Sequence, residues 1–416
     1  MLGRGCYIIF LSLLLLAPLL SAAQRPFKFI SEQRRKVKMP FRFERNLIVV
    51  PVYINDKGPF NFILDTGVSI LIITEPSLKD SLGLEGDRNI KIRGLGEGED
   101  LDARIIPRMK VQIGKTLAPY MAGAVIDEDH FHLSSYIGIP IYGIIGHDFF
   151  NSFTVKINYV TSRLTIYQSA RFDREKFIHG KNYEPVPILL ENQRPYLLTS
   201  IRLNDGTSIS SKLIIDSGAG HPVLLDPNSN PALIVPDTSV SAMLGVGLNG
   251  PIHGHLGRLN SLSLGDFEII NPIASFPDYD TVLYEAYGIH RNGNIGNEVL
   301  KRFNVIFDYR HSSMYLKPNN RFGDPFEHDM SGMSLVSGGE VYRRYFIANI
   351  VPGSPADEAG LEVDDEILSI NLRPAREMSI SEIDNLLRSQ DKRNLLLEVG
   401  REGETGMFVL VLRRRI

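Results

Sequence analysis

One pattern occurs twice in this chain, and it dictates the architecture. FNFILDTGVSILIIT at 60–74 and SKLIIDSGAGHPVLLD at 211–226 both run apolar stretch, Asp, small hydroxyl residue, Gly, apolar stretch. Asp65 and Asp216 stand 151 residues apart, and other landmarks keep close to that offset. Gly94 falls over Gly245, Gly96 over Gly247, and Gly114 over Gly265. YGIIGHDFF at 142–150 meets GNIGNEVLKRF at 293–303, with Gly146 one residue out of step with Gly296. Phe153 and Tyr159 meet Phe303 and Tyr309. Several such pairs in one order are a duplication.

Each copy is rich in short β-branched runs separated by Gly or Asn-Asp turns, with little helical periodicity. The chain therefore reads as mainly β, with two homologous β-barrel lobes at 46–170 and 184–318 related by a pseudo-twofold axis. The polar stretch ARFDREKFIHGKN links them. NYVTSRLTIY and DYRHSSMYLK read as the hairpins that close each copy. The basic stretch at 24–45 reads as a solvated lead-in, with a prosegment or a surface anchor as alternatives. From about 329 the pattern changes to an α+β module, 329–416. There Ser379 and Glu382 form a capping box ahead of a helix, and a hairpin is expected to turn at Gly403 to Gly406.

An Asp at the end of an apolar strand is costly alone, because a carboxylate is penalised away from water. Set against a second Asp by a twofold axis, it becomes useful. Two carboxyls sharing one site hold one proton between them, so one can take a proton from water while the other polarises a carbonyl. Gly67 and Gly218 let the backbone approach closely, and the Thr66 and Ser217 hydroxyls can bond across to the partner loop.

By these doubled motifs, with Ile144-Ile145-Gly146 and Asn294-Ile295-Gly296 after them, residues 46–318 resemble the pepsin/retropepsin-like aspartic peptidases. The resemblance implies a catalytic pair, Asp65 and Asp216, supported by Thr66, Gly67, Ser217 and Gly218. It also implies flaps over a peptide at Gly94, Gly96 and Gly98 and at Gly245 and Gly247, where ordinary hairpin turns are the alternative. The C-terminal PGSPADEAGL followed by DDEILSIN resembles a PDZ domain of the bacterial protease-associated type. That implies strand addition of a peptide ligand beside Tyr345, Phe346 and Ile347, with the 380–389 helix as the other groove wall.

The first residues read as a signal peptide, 1–23. Arg4 forms the basic part, residues 7–16 the apolar part, and Ser21-Ala22-Ala23 the cleavage site. The single Cys, Cys6, lies inside it, so a disulfide framework is excluded from the remainder. An exported protein of the bacterial periplasm or cell surface is expected, with no integral span once the leader is removed. A net charge of −3 supplies no basic field for nucleic acid. His130 and His132, and His253 and His255, lack a third ligand at metal spacing, and no cofactor is called for. The expected activity is endopeptidase cleavage of peptide or protein substrates. Rival readings are a catalytically silent peptide-binding scaffold working through its PDZ module, and a carboxylate-pair glycosidase. The absence of Trp counts against the latter.

Overall fold

The computed structural model describes residues 27–86, 88–92, 94, 98–128, 132–247, 249–278 and 290–416. The expected leader, Cys6 and His130 lie outside these residues, as does Gly96.

The duplication is visible as topology. In the first lobe, strand Lys57–Leu64, which leads into Asp65, pairs in parallel with Gly143–Ile145. The latter pairs antiparallel with Leu71–Ile73, which runs parallel to Thr116–Ile126. The second lobe repeats each step. Ser208–Ile215 runs parallel to Gly293–Ile295, which is antiparallel to Val223–Leu225, itself parallel to Ile273–Pro277. Where they pair with one another these strands are buried on both faces and mostly apolar. Leu213, Ile215, Val223, Leu225 and Ile295 all have 4% or less of their surface exposed, and so do Leu64, Leu71, Ile73 and Ile145.

The lobes are not closed separately. The two hairpins at their ends merge into one six-stranded sheet, in the order Glu184–Pro187, Ser313–Pro318, Phe303–Asp308, Thr154–Asn158, Arg163–Tyr167, Lys36–Pro40. The central pair is antiparallel, with Ile157 opposite Val305. The pseudo-twofold axis therefore passes between one strand of each lobe. Tyr159, Phe150, Phe307 and Tyr309 pack within the same core.

Two expectations are corrected here. The basic stretch is no solvated lead-in: Lys36–Pro40 forms the sixth strand of the shared sheet, burying Val37 and Met39 and leaving Lys36 and Lys38 outside. Alternation of charge and apolar side chain is what an edge strand with one wet face requires. The interlobe stretch is also structured. Asp173 caps helix Arg174–Lys181, accepting from the Lys176 N–H at 3.1 Å. Phe172 and Phe177 stack at 4.9 Å beside Tyr183 and Tyr315.

The C-terminal module is a sheet ordered Met333–Gly338, Arg344–Ile350, Glu366–Ile370, Asn394–Arg401, Glu404–Val411, around its own core. The capping box at Ser379 forms, opening helix Ile380–Leu387. The last hairpin turns at Glu402 and Gly403, both at positive φ, slightly earlier than the sequence suggested. Among the described residues no helix is long and apolar enough to cross a membrane.

The connection from lobe two to this module is irregular yet pinned. Arg302, 1% exposed, donates to the carbonyls of Glu298 (3.1 Å), Arg321 (3.1 Å), Pro325 (3.3 Å) and Asp324, and its guanidinium lies 3.6 Å from the Phe326 ring centroid. Arg302→Met keeps the volume but strands those carbonyls. It should cost about 3 kcal/mol in denaturant unfolding and speed proteolysis at 319–327. Unchanged stability would show that the guanidinium is not what fixes the connection.

Candidate active site

The two Asp-hydroxyl-Gly turns meet at the lobe interface and grip each other. The Thr66 N–H donates to Ser217 Oγ at 3.0 Å, and the Ser217 N–H donates to Thr66 Oγ1 at 2.9 Å. Each hydroxyl then donates across the axis to the carbonyl preceding the partner's Asp. Thr66 Oγ1 reaches Ile215 O at 2.5 Å, and Ser217 Oγ reaches Leu64 O at 2.9 Å. Both side chains are fully buried, so all four bonds are protected from water. Asn297 extends the grip on the second-lobe side. Its Nδ2 donates to Ser217 O at 2.7 Å, and its Oδ1 accepts from the Tyr159 hydroxyl at 2.8 Å.

This grip places the carboxyls. Gly67 N–H donates to Asp65 Oδ1 at 2.6 Å, and Gly218 N–H to Asp216 Oδ1 at 2.9 Å. A Cβ on Gly67 would lie 3.1 Å from Asp65 Oδ1 and 3.2 Å from Asp216 Oδ1, so both carboxyls converge on one point. A Cβ on Gly218 would sit 2.3 Å from the Asp65 carboxyl carbon, which explains why Gly is required there. Gly146 and Gly296 serve the loops from below, since an added Cβ would strike the Asp65 carbonyl at 1.7 Å or that of His221 at 2.2 Å.

Desolvation by burial, then the charge of Asp216 and the hydrogen bond that the Asp65 carboxyl makes to Asp216, hold the Asp65 pKa well above the ordinary 3.8. The Gly67 N–H and the Arg194 charge oppose this in part. Arg194, whose Nε donates to Gly67 O at 2.7 Å, comes from the second lobe. Asp216 has a further donor: Asn294 Nδ2 reaches its Oδ2 at 2.9 Å. His221 Nε2 lies 2.7 Å from Asn294 Oδ1, and burial lowers the His221 pKa. With the neutral ring donating through Nε2, the amide is turned to offer its N–H to Asp216.

Both glycine-rich segments lie between paired antiparallel strands. The first joins Arg88–Ile92 to Leu101–Ile113, and the second joins Val240–Gly247 to Gly250–Arg258. They touch at Asn249, which accepts from the N–H of Gly98 at 2.6 Å (backbone O) and of Gly94 at 2.5 Å (Oδ1), and donates to Glu99 O at 2.6 Å. Gly245 and Gly247 lie on the second hairpin's outgoing strand. Asn249 was not singled out from sequence, although Asn-Gly between apolar runs is a strong hairpin signal. Arg194 carried no comparable sign, and Asn294 stood in a quoted motif without a role of its own.

The expected peptide-binding residues of the C-terminal module are misplaced. Tyr345, Phe346 and Ile347 belong to an interior strand, paired with Met333–Gly338 on one side and Glu366–Ile370 on the other. Tyr345 and Ile347 are fully buried, and the Tyr345 hydroxyl donates to Met378 O at 2.6 Å. No backbone is left there for an added strand. The open edge beside helix Ile380–Leu387 is Met333–Gly338.

Thr66→Val preserves shape but leaves the Ser217 N–H and the Ile215 carbonyl without partners. It should destabilise the protein by about 3 kcal/mol, whereas Thr66→Ser should recover most of the loss. Equal denaturation midpoints for all three chains would remove the grip from the account.

Comparison with known proteins finds matches to two parts of the chain. Residues 50–149 match the family model described as aspartyl protease, and residues 346–401 match a PDZ domain. A curated relative, the probable 26S proteasome regulatory subunit p27 of Saccharomyces cerevisiae, is 25% identical over 144 residues, 33% of this chain. The match spans 62% of that relative's length. The aspartic proteinase of Irpex lacteus is similar at 14% identity and a TM-score of 0.43, covering 70% of this chain and 99% of its own. The chain is thus similar to an aspartyl protease over residues 50–149 and to a PDZ domain over residues 346–401.

Proposed function

We propose that the protein is an exported aspartic endopeptidase in which Asp65 and Asp216 share one proton and activate water. The observation that carries this reading is the convergence of both carboxyls on one point, held by reciprocal buried hydrogen bonds. As structure alone, that convergence brings only repulsion and desolvation. A silent scaffold would have no use for it.

The donors divide the roles. Asp216 accepts from Gly218 and Asn294 and is the ionised member, while Asp65, with one backbone donor, carries the proton. Water adds to the scissile carbonyl carbon, giving a proton to Asp216 as Asp65 protonates the carbonyl oxygen. In collapse of the gem-diol the C–N bond breaks. The departing nitrogen takes the proton from Asp216, and Asp65 recovers one from a hydroxyl, so the pair ends as it began. The hairpins meeting at Asn249 cover the cleft, exclude water and part to admit an extended peptide. The PDZ domain supplies docking for peptides or partners. Export rests on the leader pattern at Arg4, residues 7–16 and Ser21-Ala22-Ala23.

Peptide-library cleavage by the purified protein tests the activity. Asp65→Asn and Asp216→Asn should each abolish turnover about equally, since the pair acts as a unit. Substantial turnover by either would sink the two-carboxylate mechanism. Stability supplies a second readout. A carboxyl whose folded pKa is raised stabilises fully below its unfolded value near 3.8, and loses that contribution as pH climbs toward the folded value. Asp65→Asn cannot lose it. Its stability relative to the parent should therefore rise with pH above that point, by at most about 1.4 kcal/mol per pH unit.

Asn294→Ile copies the apolar residue of the first lobe, Ile144, and removes one donor from Asp216. The ionised form becomes harder to reach, so the acidic limb of the rate profile should move to higher pH, with turnover at its foot down about tenfold. An unmoved acidic limb would show that Asn294 does not set the charge on Asp216.

A further inference from the structure

The open edge of the PDZ sheet is occupied by the first lobe. Arg45, in the turn between strands Arg42–Glu44 and Leu47–Ile54, sends its side chain into the groove between Met333–Gly338 and helix Ile380–Leu387. Its Nε and Nη2 meet Asp384 Oδ2 and Oδ1 at 2.8 and 3.0 Å, a two-point carboxylate contact. Nη2 also donates to Leu335 O on the edge strand at 3.0 Å, and Nη1 to Tyr136 O at 2.6 Å. The Arg45 N–H donates to Ser381 Oγ at 2.9 Å, one helical turn before Asp384. The side chain is only 8% exposed. Beside it, helix Leu133–Ile137 of lobe one lies against the edge strand, with Ser337 Oγ donating to Ser135 O at 2.7 Å. Gly138 packs so tightly on Ile380 that a Cβ would come within 2.7 Å of it.

Geometry of this kind identifies a ligand chemistry. The planar five-donor guanidinium is what a carboxylate beside a strand carbonyl selects, here Asp384 with Leu335 O, and Lys cannot reproduce the two-point contact. We infer that the PDZ groove is an arginine-reading site, with Asp384 as its reader, filled in cis by Arg45. An extended peptide carrying an arginine then competes with lobe one for the open edge. The inference stands on the PDZ domain and needs no catalysis by the lobes.

The test uses the full chain and a short fluorescent valine-rich peptide with one central arginine, beside a twin carrying glutamine there. Every chain also bears Asp65→Asn, so turnover cannot consume the probe. Vacating the site with Arg45→Gln should tighten arginine-peptide binding at least tenfold, because tethering gives the cis residue a high effective concentration. The glutamine twin should stay weak, and adding Asp384→Asn should abolish the gain. Hydrogen exchange on the chain with Arg45 intact checks the same point without altering the contact. Arginine peptide at millimolar concentration should slow exchange at 333–338 and speed it at 133–138. Equal binding of both peptides by Arg45→Gln, or no gain over the chain with Arg45, overturns the inference. So does continued protection of 133–138 with peptide bound.

Discussion

Everything at the cleft depends on four buried hydrogen bonds that only a pair of loops can make. Thr66 and Ser217 each offer the partner a hydroxyl acceptor for its N–H, and each spends its own proton on the carbonyl before the opposite Asp. Neither loop can satisfy these groups alone, and an unmet buried donor or acceptor costs about 1–3 kcal/mol. Loop conformation and lobe docking are therefore one event. The shared six-stranded sheet works toward the same end from below, because pairing Thr154–Asn158 with Phe303–Asp308 fixes the lobes' relative rotation. A carboxyl pair is useful only when its spacing is fixed, and here the spacing is set by backbone on both sides.

The turn at Arg45 and Asn46 ties this centre to the PDZ domain. Both residues sit at positive φ, which throws consecutive side chains in different directions. Arg45 enters the PDZ groove, while Asn46 Nδ2 donates to Gly220 O at 3.0 Å and to Glu298 Oε2 at 2.7 Å. Gly220 belongs to the loop that follows Asp216, and its absent side chain leaves room for the Arg45 carbonyl. Tyr136, which stacks under the Arg45 guanidinium at 4.6 Å, has its hydroxyl 3.9 Å from where a Gly245 Cβ would lie. Whatever fills the PDZ groove thus shares a turn with the Asp216 loop and a neighbour with the second hairpin.

What sequence revealed and what it hid divide along physical lines. The doubled Asp turns, the glycines beneath them and the Ser379 capping box are local chemistry, readable because each residue type is demanded by its own backbone. Strand order is not local. The PDZ resemblance implies strand addition beside residues 345–347, yet that strand lies between two others, and the open edge is one strand further out. The same blindness hid the union of the closing hairpins and the use of Lys36–Pro40 as a sheet edge. Arg194 and Arg45 act across more than a hundred residues of sequence, and no spacing rule announces such contacts.

The departures from symmetry are where the pair acquires direction. At the two positions flanking the first-lobe Asp loop the chain places Ile70 and Ile144, which belong to one apolar cluster. The second lobe has His221 and Asn294 instead, bonded to each other at 2.7 Å. Either polar residue alone, set against its apolar counterpart, would leave a buried group unmet. Together the ring and the amide oxygen satisfy one another, which leaves the amide nitrogen to donate to Asp216. A symmetric pair would share its proton evenly and offer a substrate no preferred acid. Exchanging two apolar side chains for a matched polar couple breaks that tie while leaving the backbone symmetry intact. The duplicated fold thus fixes where the carboxyls sit, and under the proposed mechanism this divergence between its halves decides which one is charged.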